Sequence, residues 1–124
     1  MTATALFLGL CGLAATFLPQ EILGFAGVAA TGNAPLFVQW LGALLLGFAM
    51  LNWMAKDSLI GGIYNRPVAI GNLVHFLIVA IAIAKLLFAG NAQPFVLILG
   101  AFYIVFALGF AWLVFAGSPV KPAA

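Results

Sequence analysis

Charge is the scarcest property of this 124-residue chain. Four basic and two acidic residues make up 5% of it, where a soluble domain is about a quarter charged. With 67% hydrophobic residues and a mean hydropathy of +1.31, too little polar surface remains to solvate a water-soluble globule, so the solvent must be largely lipid. The single cysteine, Cys11, leaves neither a disulfide nor a metal site to be assembled within the chain. A Walker loop, CxxC, HExxH, paired carboxylates and a nucleophile elbow are all absent. The small positive excess is read as an orientation signal and does not suggest nucleic acid.

Long apolar runs are what the chain has in quantity. A hydrocarbon core about 30 Å thick needs roughly 20 apolar helical residues to cross it, and four stretches between breakers qualify. They cover 3–18, which is short, then 35–56, 67–89 and 94–117. Pro35, Pro67 and Pro94 each stand where a helix begins, a position that suits proline because a first-turn N–H has no helical partner. The expectation is an all-α, four-transmembrane-helix bundle forming one integral membrane domain over 1–124. No Lys or Arg precedes the first run, so it reads as a span and not as a secretory signal peptide. Period-two alternation is missing, which removes a transmembrane β-barrel. "EILGFAGVAA", residues 21–30, is too short to span and too apolar for an ordinary loop, and it predicts an interfacial or partly re-entrant segment.

With four spans, Lys56, Arg66 and Lys121 collect on one side and only Lys85 on the other. The positive-inside rule then gives a multi-pass protein of the cell membrane with both termini cytoplasmic. Trp40, Trp53, Trp112 and Tyr64 fall near span ends, where amphipathic aromatics form a belt.

"GNAPLFVQWLGA" at 32–43 and "GNAQPFVLILGA" at 90–101 match at eight of twelve positions. Each copy supplies a Gly-Asn turn, a proline helix start and a smooth patch. Two explanations stand: a duplication, giving two parallel helical hairpins, or equivalent helix starts arising independently. Gly42 and Ala43, with Gly100 and Ala101, predict faces where another backbone approaches; Ala43 and Gly47 have the four-residue spacing of small residues at lipid-phase contacts.

Polar residues in hydrocarbon cost several kcal/mol each when unpaired, so the few present are candidates for function. Toward the cytoplasm, Asn52, Asn72 and His75 form the candidate polar pocket, with His75 one turn from Asn72 on the same helical face. They read either as a ligand or proton site or as hydrogen-bonding glue between spans. Toward the outside lie Glu21, Gln39, Lys85, Gln93 and the deeper Tyr103; Lys85 snorkels to the headgroups or pairs with Glu21. Asp57 can pair with Arg66 across "DSLIGGIYNR". Gly71 one turn before His75 leaves room for a tetrapyrrole, a very weak motif; otherwise no cofactor is expected.

The order of "LFLGLCGLAATFLPQEIL", "QWLGALLLGFAMLNWMA" and "YNRPVAIGNLVHFLIVA" resembles the small bacterial four-helix membrane proteins of the DoxX-like type. That resemblance implies a four-helix bundle in a bacterial inner membrane and carries over no functional residue. Small multidrug transporters are similar in length and span number, but their chemistry requires a mid-membrane carboxylate on the first span; Glu21 follows Pro19 at the surface. The leading expectation is a non-enzymatic protein that binds a lipophilic small molecule or serves as an accessory or assembly subunit of a larger membrane complex or homo-oligomer. A small transporter using the Asn52, Asn72 and His75 face is second, and a membrane enzyme third.

Overall fold

The computed structural model describes residues 1–57 and 65–116, and among these residues every element is an α-helix. In chain order they are α1 (Thr2–Phe17), α2 (Pro19–Phe25), α3 (Ala34–Ala55), α4 (Asn65–Phe88) and α5 (Pro94–Phe115). α3, α4 and α5 are long and apolar enough to cross a membrane, while α1 and α2 meet at a bend of 105°.

Proline explains most of the boundaries. Pro35 is the second residue of α3 and Pro94 the first of α5, where no intrahelical N–H bond is lost. α4 begins at Asn65, two residues before the expected start; Pro67 is tolerated there because the first four N–H groups of a helix lack partners anyway. Pro19 does the opposite. It has no N–H to offer the Ala15 carbonyl, and it pushes Leu18 out of the helical region, to φ −125 and ψ 47. The Leu18 N–H still donates to Ala14 O at 2.7 Å, which closes α1. The expected interfacial segment at 21–30 is thus only partly helical. α2 ends at Phe25, and Gly27 (φ 72) and Gly32 (φ 56) carry the chain through left-handed backbone to α3.

The helices gather into two compact units. The first holds Met1–Lys56 and Gln93–Val96, the second the described residues of Asp57–Ala92 and Leu97–Ala124. In the first unit α1 and α3 pack antiparallel: Gly9 faces Ala49, Gly12 faces Leu46 and Gly42, and Gly42 faces Thr16. A Cβ placed on Gly42 would lie 2.6 Å from Thr16 Oγ1, 2.8 Å from Thr16 N and 2.9 Å from Gly12 O. Two of these are backbone atoms that cannot move aside, so the crossing requires glycine. α2 buries Leu23, and Phe25 packs on Phe95 with ring centroids 5.8 Å apart.

The buried positions of α3 are Gly42, Leu45, Ala49, Asn52 and Ala55, one stripe of three- and four-residue steps. Ala43 and Gly47 sit roughly 100° and 140° around the helix from Gly42 and are exposed. Among the described residues Ala43 and Gly47 therefore do not make the expected small-residue contact; Gly42 makes it, with Gly12, a partner the sequence reading did not single out. In the second unit Gly100 is buried against the Ile83 side chain, while Ala101 faces outward.

These two glycines of α3 predict opposite outcomes. Gly42→Ala forces the α1–α3 backbones apart and costs about 1–3 kcal/mol. Gly47→Ala meets open space and is neutral or stabilising, by up to about 1 kcal/mol of helix propensity. Unfolding of the detergent-solubilised protein measures both, and equal effects would refute the close crossing.

Candidate functional site

The asparagines and the tyrosine of α3, α4 and α5 lie on the buried stripes of those helices. On α4 that stripe is Asn65, Ala69, Asn72, Phe76 and Ala80; on α5 it is Gly100, Tyr103, Ala107 and Phe110. Asn72 and Asn52 are both wholly buried. The Asn72 amide donates to Val68 O at 2.7 Å and the Asn52 amide to Phe48 O at 2.9 Å. Thr16 Oγ1 likewise donates to Gly12 O at 2.8 Å. All three reach back one turn to a carbonyl whose second lone pair remains available, the economical way to satisfy a donor inside an apolar helix.

His75 and Tyr103 pair across α4 and α5 in the second unit. The Tyr103 hydroxyl lies 3.4 Å from His75 Nε2, and the imidazole tautomer decides which group donates. That is a long, weak hydrogen bond, held in place by ring packing. Phe76 supplies the packing: its centroid is 5.2 Å from His75, 5.1 Å from Tyr103 and 5.0 Å from Phe106, and it stacks nearly parallel to Phe110. Tyr103 is buried and His75 half-buried.

His75 is the eleventh of 24 residues in α4 and Tyr103 the tenth of 22 in α5, so both lie near mid-helix. α4 and α5 run antiparallel from a short turn, so residues at similar distances from Gly90 meet, and Tyr103, expected deeper than the other outer residues, reaches His75. Asn52 belongs to the first unit, and Asn72 and His75 to the second.

Of the polar residues expected at the outer end, Gln39 has a definite task. Its Nε2 donates to Thr16 O at 3.3 Å, engaging one of the carbonyls that the Pro19 break leaves at the end of α1. Glu21 is exposed on α2, and Lys85 is exposed in the last turn of α4, where a cation complements the helix dipole. At the other end of α3, Lys56 Nζ sits 3.7 Å over the Trp53 ring. Asp57 and Arg66 are both exposed; residues 58–64, Tyr64 among them, lie outside the described residues, as does Lys121. Asn65, buried on α4, was not singled out from sequence, although its seven-residue spacing from Asn72 places both on one face.

The cluster joins an imidazole and a phenol along an aromatic wall, a set that can hold one polar group of an otherwise apolar molecule or relay a proton. Axial ligation of a tetrapyrrole through His75 Nε2 would displace Tyr103 from that nitrogen. Among the described residues no three His, Cys, Asp or Glu side chains come together to hold a metal ion. No protein-family model, curated protein or solved structure matches the chain.

Substitution separates packing from hydrogen bonding here. Phe76→Ala empties the centre of the cluster and costs about 3–5 kcal/mol. Tyr103→Phe keeps the ring, loses the hydroxyl, and costs about 0.6–2 kcal/mol. Both are read from unfolding in detergent; equal losses would mean that the hydroxyl, and not the rings, holds the helices together.

Proposed function

We propose that the chain is a four-span integral membrane bundle, with α1 and α2 as one broken span and both termini cytoplasmic, whose role is binding and not catalysis. It holds a lipophilic small molecule, or joins a homo-oligomer or larger membrane complex as an accessory subunit. The observation that carries this reading is the apolar surface the helices leave uncovered. In the most apolar 18 residues of α3, α4 and α5, only 17%, 22% and 22% are buried inside the chain. Leu44, Ile78, Val105 and Leu108 are each more than 60% exposed. Such surfaces in water would cost roughly 25 cal/mol per Å² and would aggregate; against acyl chains or a partner helix they cost nothing. The resemblance to DoxX-like proteins, and the bacterial inner membrane it implies, belong to the same reading.

A small transporter is the second reading, and His75 and Tyr103 are what favour it. A titratable ring near the middle of a span is where a proton or solute would be passed. Asn72 and His75 on α4, and Asn52 on α3, are then the residues on which to test it.

Native mass spectrometry after gentle extraction tests the leading reading. It predicts a retained lipophilic molecule or a stable partner, and a severalfold loss of retained ligand in the Asn72→Leu, His75→Leu double variant. A bare monomer under every gentle condition contradicts it. Reconstituted vesicles showing solute flux driven by a pH gradient would favour the transporter instead.

A further inference from the structure

α3 and α5 bury the same register of positions, and the place where their residues differ is informative. Aligning the echo at 32–43 with that at 90–101 sets Gly42, Leu45, Ala49 and Asn52 of α3 against Gly100, Tyr103, Ala107 and Phe110 of α5. These are the first four buried positions of α3 and all four of α5. The agreement continues past the end of the echo, where the residues themselves no longer match. Each helix therefore turns the same face to the neighbours within its own unit.

Within that shared register α5 has tyrosine where α3 has leucine. Leu45 is 4% exposed and Tyr103 5%, so leucine meets all that packing asks of the position and adds no polar atom to satisfy in hydrocarbon. Tyr103 brings a hydroxyl there, and it reaches His75 Nε2 only at 3.4 Å. Asn72, Asn52 and Thr16 close their own bonds at 2.7, 2.9 and 2.8 Å. Neither packing nor a tight internal bond accounts for the tyrosine.

A ligand oxygen does account for it. An oxygen about 2.8 Å from both Tyr103 Oη and His75 Nε2 fits beside atoms 3.4 Å apart, and exchanges one long bond for two of ordinary length. With the ring proton on Nδ1, the neutral pair offers one donor, the phenol O–H, and one acceptor, Nε2. A hydroxyl matches both at once, accepting from Tyr103 and donating to His75, whereas an ether or a carbonyl can only accept. His75 is half-buried and flanked along α4 by exposed Val74 and Ile78, so its ring is open to a molecule arriving from the lipid. Both residues stand near mid-helix, away from the headgroup level where phospholipids keep their own oxygens. The hydroxyl must then belong to a molecule that is otherwise apolar.

We propose that His75 and Tyr103 form a binding site for the hydroxyl of a lipophilic alcohol, with Tyr103 as donor, His75 as acceptor and the apolar body of the alcohol lying against α4. This rests on the binding reading above and names the chemical class that reading leaves open. The first unit, with Leu45 in the equivalent place, holds no such site, so the stoichiometry is one alcohol per chain.

The test places the intact chain in dioleoyl phosphatidylcholine nanodiscs and measures, by native mass spectrometry, retention of three probes of one carbon skeleton: geranylgeraniol, its methyl ether and the corresponding hydrocarbon. One geranylgeraniol per chain is expected, held about three- to tenfold more strongly than the ether or the hydrocarbon. Tyr103→Phe keeps the ring and erases that preference, while Leu45→Met at the equivalent place leaves it intact. If Tyr103→Phe does not fold by circular dichroism, the preference of the wild-type chain for alcohol over ether decides alone. Equal retention of the three probes by the wild-type chain, or a preference that survives in folded Tyr103→Phe, overturns hydroxyl recognition and leaves lipophile binding standing. A folded wild-type chain that retains none of the probes overturns this proposal and the small-molecule reading together, leaving the accessory-subunit role.

Discussion

A backbone carbonyl or N–H without a partner is tolerable in water and costs several kcal/mol in hydrocarbon, and the rest of this structure follows from that constraint. It makes every element described here a helix, and it decides where the helices stop. The chain places proline in the first turns of α3, α4 and α5, where no bond is lost. It places one proline, Pro19, where a bond is lost, and there the structure responds: Leu18 leaves the helix, α2 departs at a steep angle, and Gln39 reaches over from α3 to a stranded carbonyl of α1.

The same constraint governs the buried polar side chains. Asn52, Asn72 and Thr16 donate to carbonyls one turn back on their own helices. Lipid gives helices no hydrophobic reason to associate, so close packing must do that work, through backbone contact at Gly12 and Gly42 in one unit and the rings around Phe76 in the other. His75 stands apart from these economies. It is half-buried near the middle of its helix and bonded at long range to Tyr103.

Much of the fold is legible in the sequence because breakers act locally. The Gly-Asn echo at 32 and 90 reads correctly as a turn: Gly32 and Gly90 both take left-handed backbone, and a proline opens the helix after each. Contacts between helices are less legible. Small residues occur on several faces of α3, and only the rotation of the helix selects Gly42 over Ala43 and Gly47. The partner glycine, Gly12, carries no mark that separates it from the other small residues of α1. The pairing of Tyr103 with His75 is set by antiparallel register and is not marked in either residue's own neighbourhood. Gln39 could have been found, since a lone amide opposite a proline break has an obvious acceptor, but only once α1 and α3 are known to be neighbours.

The central proposal is that α1 crosses the membrane and breaks before Pro19, making four spans. Site-directed labelling decides it: in a Cys11→Ala background, single cysteines at Thr2, Asn33, Asp57 and Asn91 are treated with an impermeant maleimide in oriented vesicles. The account predicts that Thr2 and Asp57 react from one side, and Asn33 and Asn91 from the other. Thr2 and Asn33 reacting from the same side would make α1 and α2 a re-entrant pair beside three spans, and would contradict it.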